Sequence, residues 1–255
     1  TIPDSVTSIG EKAFYGCSSL TEIMIPDSVM SIWAYAFCDC GNLTEITIPN
    51  SVTSIKGGAF SGCSSLTAIT IPDSVTSIEE TVFSGCTNLT AVTIPDSVTS
   101  IGSGAFSDCS SLTQIAIPDG VTSIGDWAFQ DCSSLTEITI PDGVTSIGEC
   151  VFVGCSSLTE ITIPDTVTSI DSGAFRNCNS LVSAKIGNSC TSIESYAFSD
   201  CDNLTIYGYT DSYAETYAKE NDIPFVSLGN ITTTETTTTT TETTTTTTES
   251  TNTTT

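Results

Sequence analysis

The residues best equipped to do chemistry in this chain are its cysteines. There are 12 of them and no histidine. Cys17, Cys40, Cys63, Cys86, Cys109, Cys132, Cys155, Cys178 and Cys201 recur at a fixed interval of 23 residues. A thiolate can be a nucleophile, a zinc ligand or half of a disulfide. A catalytic thiol needs a base, and no histidine is present to serve as one. A zinc site would need a CxxC pair or a mixed Cys/His set, and neither occurs. A disulfide would join neighbouring units. If those units stack in parallel about 4.8 Å apart, their Cα–Cβ vectors run parallel. The Cβ atoms then stay farther apart than the ~3.8 Å a disulfide prefers. The expected state is a file of free thiols, each a small buried hydrophobe turned toward backbone carbonyls. Three cysteines lie off the file. Cys190 takes the place of a valine and reads as core, whereas Cys38 and Cys150 are expected to be exposed thiols.

The elements that position these thiols are repeats. Nine units of 23 residues run without insertion from Thr1, Met24, Thr47, Thr70, Thr93, Ala116, Thr139, Thr162 and Lys185. The consensus is T-I-P-D-S-V-T-S-I-G-x-x-A-F-x-G/D-C-S-S-L-T-E-I. In the third unit the apolar or small positions are Ile48, Val52, Ile55, Ala59, Phe60, Cys63, Leu66 and Ile69. "LTAITIP" predicts a short strand, stopped by a proline that has no N–H to donate. "SVTSIKGGAFSGC" predicts a turn and then a single helical or 3₁₀ turn around "GGAF". One such unit cannot bury its apolar side alone, but stacked units can. Phe14, Phe37, Phe60, Phe83, Phe106, Phe129, Phe152, Phe175 and Phe198 should form a second interior file of offset-stacked rings.

The pattern L-x-x-I-x-I-P-x-x-V-x-x-I-x-x-x-A-F-x-x-C resembles the BspA-like leucine-rich repeat, also called the Treponema pallidum type. The resemblance covers residues 1 to about 207. It implies an α/β solenoid, a right-handed coil with a parallel sheet on the concave face. It also implies proteins secreted from, or displayed on, bacterial cells that adhere to or bind other molecules.

Candidate binding residues lie outside the core, where the outward strand positions read differently from coil to coil. On the expected concave strand face these are Glu22, Glu45, Thr47, Thr70, Thr93, Gln114, Glu137, Thr139 and Glu160. On the outer, convex segment Trp33, Tyr35 and Trp127 are the aromatic candidates, with Tyr196 in the ninth unit. The Asp that follows each Pro, as in Asp73 and Asp96, reads as turn chemistry in which its carboxylate accepts from nearby amides. The Asn at the same place in Asn50 and Asn188 supports that role over calcium binding.

Against 30 acidic residues stand only Lys12, Lys56, Arg176, Lys185 and Lys219, a net charge of −25. That charge disfavours nucleic acid and anionic membrane surfaces. No apolar run reaches the ~20 residues of a membrane span. Without histidine, Ser–His–Asp and Cys–His catalysis are absent, and no carboxylate stands apart from its column. No catalytic residue, metal site or cofactor is expected.

The period ends near "LTIYGY". "TDSYAETYAKEN" predicts a helix capped by Asp211 or Ser212, with Tyr213 and Tyr217 on one face, and "DIPFVSL" a final strand. Residues 208–230 read as a cap for the solenoid's exposed end. This ending is similar to that of exported repeat proteins of gut anaerobes. Residues 231–255, threonine broken by Glu235, Glu242 and Glu249, read as a disordered spacer. The first functional expectation is a non-catalytic, secreted or cell-surface module that binds a protein or glycan, on a host or on cell-wall or plant-fibre material. The second is a structural or targeting subunit of an extracellular multienzyme complex, with a dockerin or anchor beyond Thr255. A chain opening within a repeat leaves Ile2, Ile9 and Phe14 partly bare, so end-to-end self-association is also expected.

Overall fold

The computed structural model describes residues 2–230; the predicted threonine-rich spacer lies outside them. Successive repeats form stacked coils, and each coil contributes strands to parallel ladders. The first ladder runs from Glu22–Met24 through Glu45–Thr47, Ala68–Thr70 and later equivalents to Ser183–Ile186. Partners lie one repeat apart, Glu22 against Glu45 and Ile23 against Ile46. Like side chains therefore sit on like side chains. The outward Glu and Thr alternate with an inward Ile, and the proline that follows stops the strand.

This ladder is not one continuous sheet. It is divided into four sections of two strands, the last of which continues into Thr205–Thr210 and Phe225–Asn230. Strands of two to four residues offer few bonds to each neighbour, so a small rotation between coils opens the ladder. A second ladder, absent from the sequence expectation, runs through the Ser–Ile pairs, such as Ser8–Ile9, Ser31–Ile32 and Ser54–Ile55. Between the two ladders a tight turn is closed by backbone alone, Val6 N–H donating to the Pro3 carbonyl at 3.0 Å and Val29 repeating it on Pro26.

The predicted helical or 3₁₀ turn around "GGAF" does not form. Alternate N–H groups there have different destinations. Ala13, Tyr15 and Cys17 donate to carbonyls three residues back (3.1–3.2 Å), whereas Lys12, Phe14 and Gly16 donate to Ala34, Ala36 and Cys38 of the next coil (2.8–3.1 Å). A helix would keep every donor within its own segment. Turning alternate donors outward requires left-handed backbone twice per coil, at Lys12 (φ 56°) and Gly16 (φ 67°) and at their equivalents.

The interior consists of files. The phenylalanine rings stack at centroid spacings of 5.0–5.8 Å, with neighbouring planes within 15° of parallel. All the cysteines are free. From Cys40 to Cys201, each thiol of the file donates to the phenylalanine carbonyl of the preceding coil, at 3.1–3.3 Å. Cys190 is buried, as expected. Cys38 is buried too, contrary to expectation, while Cys150 is partly open.

Hydroxyls form a file that sequence reasoning missed. Ser28, Ser51 and Ser97 donate to the valine carbonyls of Val6, Val29 and Val75 in the preceding coil, at 2.6–2.7 Å. Thr44, Thr90 and Thr136 do the same to Thr21, Thr67 and Thr113. The aspartate that follows the proline in most coils was expected to accept from nearby amides. Asp165 instead accepts from the Asn188 N–H one coil on, at 2.8 Å.

At the far end the period shortens by one residue: Ser183 pairs with Thr205, 22 positions away. Strand Thr205–Thr210, helix α1 (Tyr213–Glu220) and strand Phe225–Asn230 complete the fold. Ser212 is the helix N-cap and accepts from Glu215 N–H. Glu215 in turn accepts from Asp211 N–H at 2.7 Å and pairs with Lys219 at 2.9 Å. Tyr217 meets Phe198 edge-on at 6.1 Å and closes the ring file. Tyr213 does not share that burial and is 42% exposed. The buried face is centred on Ala214, Tyr217 and Ala218, which leaves Tyr213 at its margin.

Candidate functional site

The first ladder presents its outward side chains in two columns. One carries Glu22, Glu45, Gln114, Glu137 and Glu160; the other carries Thr47, Thr70, Thr93 and Thr139, and all of them are exposed. Their backbones are fixed by the parallel register and their neighbours by the inward Ile file. The face is hollowed in places. An open depression of about 780 Å³ gathers Gln114, Glu137, Thr139 and Glu160, with Ala91 and Ala116 as its shallow floor. A second, of about 810 Å³, gathers Glu45, Thr47 and Thr70 beside Asp27 and Asn50. Glu22 shares a depression at the first coil with Glu45 and Thr47, beside Ile2, Phe14 and Met24. Thr93 lines none of these three.

The ion pairs among the described residues are Lys12–Glu11, Lys56–Glu79, Arg176–Asp200 and Lys219–Glu215. The carboxylates of the strand face take part in none of them. Lys185, in register with Thr162, is the cation of that face. The face can accept hydrogen bonds and attract positive charge, and it holds no activated nucleophile. The thiols lie behind it, and burial pushes Cys86, Cys109, Cys132 and Cys155 well above the ordinary thiol range. Cys40 and Cys201, near the ends of the file, are pushed up to about 11. Burial also raises Cys150. None of these is the depressed, exposed thiol that reacts readily.

The outer turn carries the aromatic candidates. Trp33 is 50% exposed, Tyr35 39% and Trp127 41%. Tyr35, Trp127 and Tyr196 occupy the same left-handed position in their coils, with φ between 56° and 64°. Gly58, Gly104 and Gly173 hold that position elsewhere. The sequence placed these aromatics on the outer segment; their shared conformation emerged only in three dimensions.

A family model described as the BspA type leucine rich repeat region matches residues 1–111 and 76–205, in six copies. The chain belongs to the BspA-type leucine-rich repeat family. A leucine-rich repeat protein from Bacteroides ovatus is 32% identical to this BspA-type chain, with a TM-score of 0.66. The match covers 80% of this chain and 59% of that one, so this chain spans little more than half of the B. ovatus protein. The T. pallidum leucine-rich repeat protein is 31% identical over 63% of this chain and 78% of its own, with a TM-score of 0.59. A leucine-rich repeat protein from Eubacterium ventriosum, 25% identical over 88% and 70% of the two chains, has a TM-score of 0.54. No curated protein matches the sequence. Among the described residues, no helix is long and apolar enough to cross a membrane.

Proposed function

We propose that this BspA-type chain is a non-catalytic binding module that recognises a protein or glycan partner through its strand face, outside a bacterial cell. One observation carries the reading. Most inward positions keep one residue type, as in the Phe and Leu files, whereas the outward pair varies along the ladder, from Glu22/Met24 through Ala91/Thr93 and Gln114/Ala116 to Ser183/Lys185, and lines an open depression at Gln114, Glu137, Thr139 and Glu160. Packing explains the constant positions. It does not require the varying ones, which are free to encode a surface. The unpaired carboxylates there favour a partner that presents basic or hydrogen-bond-donating groups. The extracellular setting is supported by what the family resemblance implies.

The test is a protein and glycan array probed with residues 1–230 and with a Glu137→Lys/Glu160→Lys variant. Surface substitutions of this kind change stability by only ~0.5 kcal/mol or less, so the variant stays folded. A ligand captured by the parent and lost by the variant is the expected result. Capture that survives the double charge reversal removes the strand face from the proposal.

A further inference from the structure

We infer that the outer turn carries a second binding surface, a track for an extended, neutral polysaccharide, with Tyr35, Trp127 and Tyr196 as its stacking platforms. This rests on the reading of the chain as a binding module but uses the opposite kind of surface. The three rings share one left-handed position in coils two, six and nine, and so lie on one line along the solenoid. A bulky side chain is disfavoured there, and glycine, which other coils use, is the relaxed choice. Core packing does not call for these rings, which remain 39%, 41% and 68% exposed. Side chains at this position lean onto the coil that follows. The Tyr35 ring lies so close over Gly58 that a Cβ there would collide with it, and Cys150 Sγ would meet a Cβ on Gly173 at 3.0 Å. Tyr35 therefore lies down across the surface, its ring also approached by the Lys12 ammonium of the preceding coil at 5.7 Å from the centroid.

The line between the rings is clear. Only Gly58, Thr81 and Gly104 intervene between Tyr35 and Trp127, and only Cys150 and Gly173 between Trp127 and Tyr196. An elongated ligand can run the whole length without meeting a large side chain. Its chemistry follows from what the track lacks. The backbone donors around two of the rings are already used: Tyr35 N–H goes to Gly57, Ala36 to Trp33, Trp127 to Glu149 and Ala128 to Gly125. At those two rings a peptide strand would find no free main chain to pair with. A net charge of −25 repels an anionic polymer. A chain of pyranose rings remains, with C–H groups on its faces for the aromatic quadrupole and hydroxyls on its edges. Exposed acceptors flank the platforms for those hydroxyls. Glu80 lies over Gly57, beside the seat of Tyr35, and Glu149 accepts the Trp127 N–H through its carbonyl.

The test is affinity electrophoresis of the full chain through gels containing hydroxyethyl cellulose, soluble β-1,3-glucan or galactomannan, with heparin and a proline-rich peptide as further probes. The variants are Tyr35→Gly, Trp127→Gly and Tyr196→Gly, singly and together. Because glycine suits the left-handed backbone, melting temperatures should equal or exceed the parent's. If the triple variant melts lower, the corresponding Asn substitutions replace it, since Asn also tolerates this conformation. Retardation by at least one neutral polymer is expected. Each ring removed should weaken it about three- to tenfold, the range of one aromatic stack, and the triple variant should migrate as if no polymer were present. The track is overturned if no neutral polymer retards the chain, or if the folded triple variant is retarded like the parent. It is equally overturned if only the peptide or heparin binds. Glu137→Lys/Glu160→Lys should leave the retardation unchanged. If that variant alone abolishes it, polysaccharide binding belongs to the strand face, and the outer track is wrong while the binding-module reading survives.

Discussion

Replacing Phe106 by alanine tests the stacked-coil interior most directly. Phe106 is fully buried, with Phe83 and Phe129 each 5.5 Å away and tilted by 14° and 6°. Truncation removes the transfer energy of a ring and leaves a void that neighbouring coils cannot close, because their backbones are held in ladder register. A loss of ~3–5 kcal/mol follows from comparable core truncations. The two stacking contacts, ~0.5–1.5 kcal/mol each, favour the upper part of that range. Phe14 provides the internal comparison. It is only partly buried and has one stacked neighbour, Phe37 at 5.0 Å. Phe14→Ala should lose roughly half the burial energy of a phenylalanine, ~1–2 kcal/mol. Urea unfolding followed by far-ultraviolet circular dichroism, with m-values checked for constancy, measures both. If Phe106→Ala costs no more than Phe14→Ala, the rings do not form one continuous interior file, and the coil-on-coil reasoning fails.

Three further outcomes follow. The file of thiols should make the fold alkali-sensitive. Burial raises their folded pKa, so the unfolded chain ionises first. This contribution is complete below ~8.5 and is lost as pH climbs toward the folded values, by up to ~1.4 kcal/mol per pH unit for each thiol involved. Chemical denaturation between pH 7 and 10.5 should show a falling limb that is shallower in Cys109→Ala, and an equal slope would contradict it. At Gly125 a Cβ would lie 2.5 Å from the Ser103 backbone nitrogen, whereas at Gly10 it would meet nothing within 4 Å. Gly125→Ala should therefore lower stability by ~2 kcal/mol or more through forced backbone movement and Gly10→Ala by almost none, as differential melting would reveal. The first coil buries Ile9, contrary to expectation, but leaves Ile2, Phe14, Leu20 and Ile23 only partly covered and Met24 76% exposed. Sedimentation of residues 1–230 should show concentration-dependent association that Met24→Lys with Ile23→Glu reduces, and a strictly monomeric parent would refute it.

Much of this protein was settled by its sequence alone. The 23-residue period, carried without a gap through nine units, forces equivalent residues onto one another. That places Phe106 between Phe83 and Phe129 and turns the cysteines into a thiol file, whatever the path of the chain between them. The helix near Tyr217 was legible from its cap and its i,i+4 pair, because those signals are local. Tertiary structure alone decided where the backbone hydrogen bonds go. Phe14 N–H donates to Ala36 and the Ser28 hydroxyl to Val6, partners 22 residues apart that no local pattern displays. That choice replaced the expected helical turn with left-handed residues, created the Ser–Ile ladder and buried Cys38. It also aligned Tyr35, Trp127 and Tyr196 on the outer surface. Side-chain burial follows from periodicity, whereas donors and acceptors find their partners only once the coils are stacked.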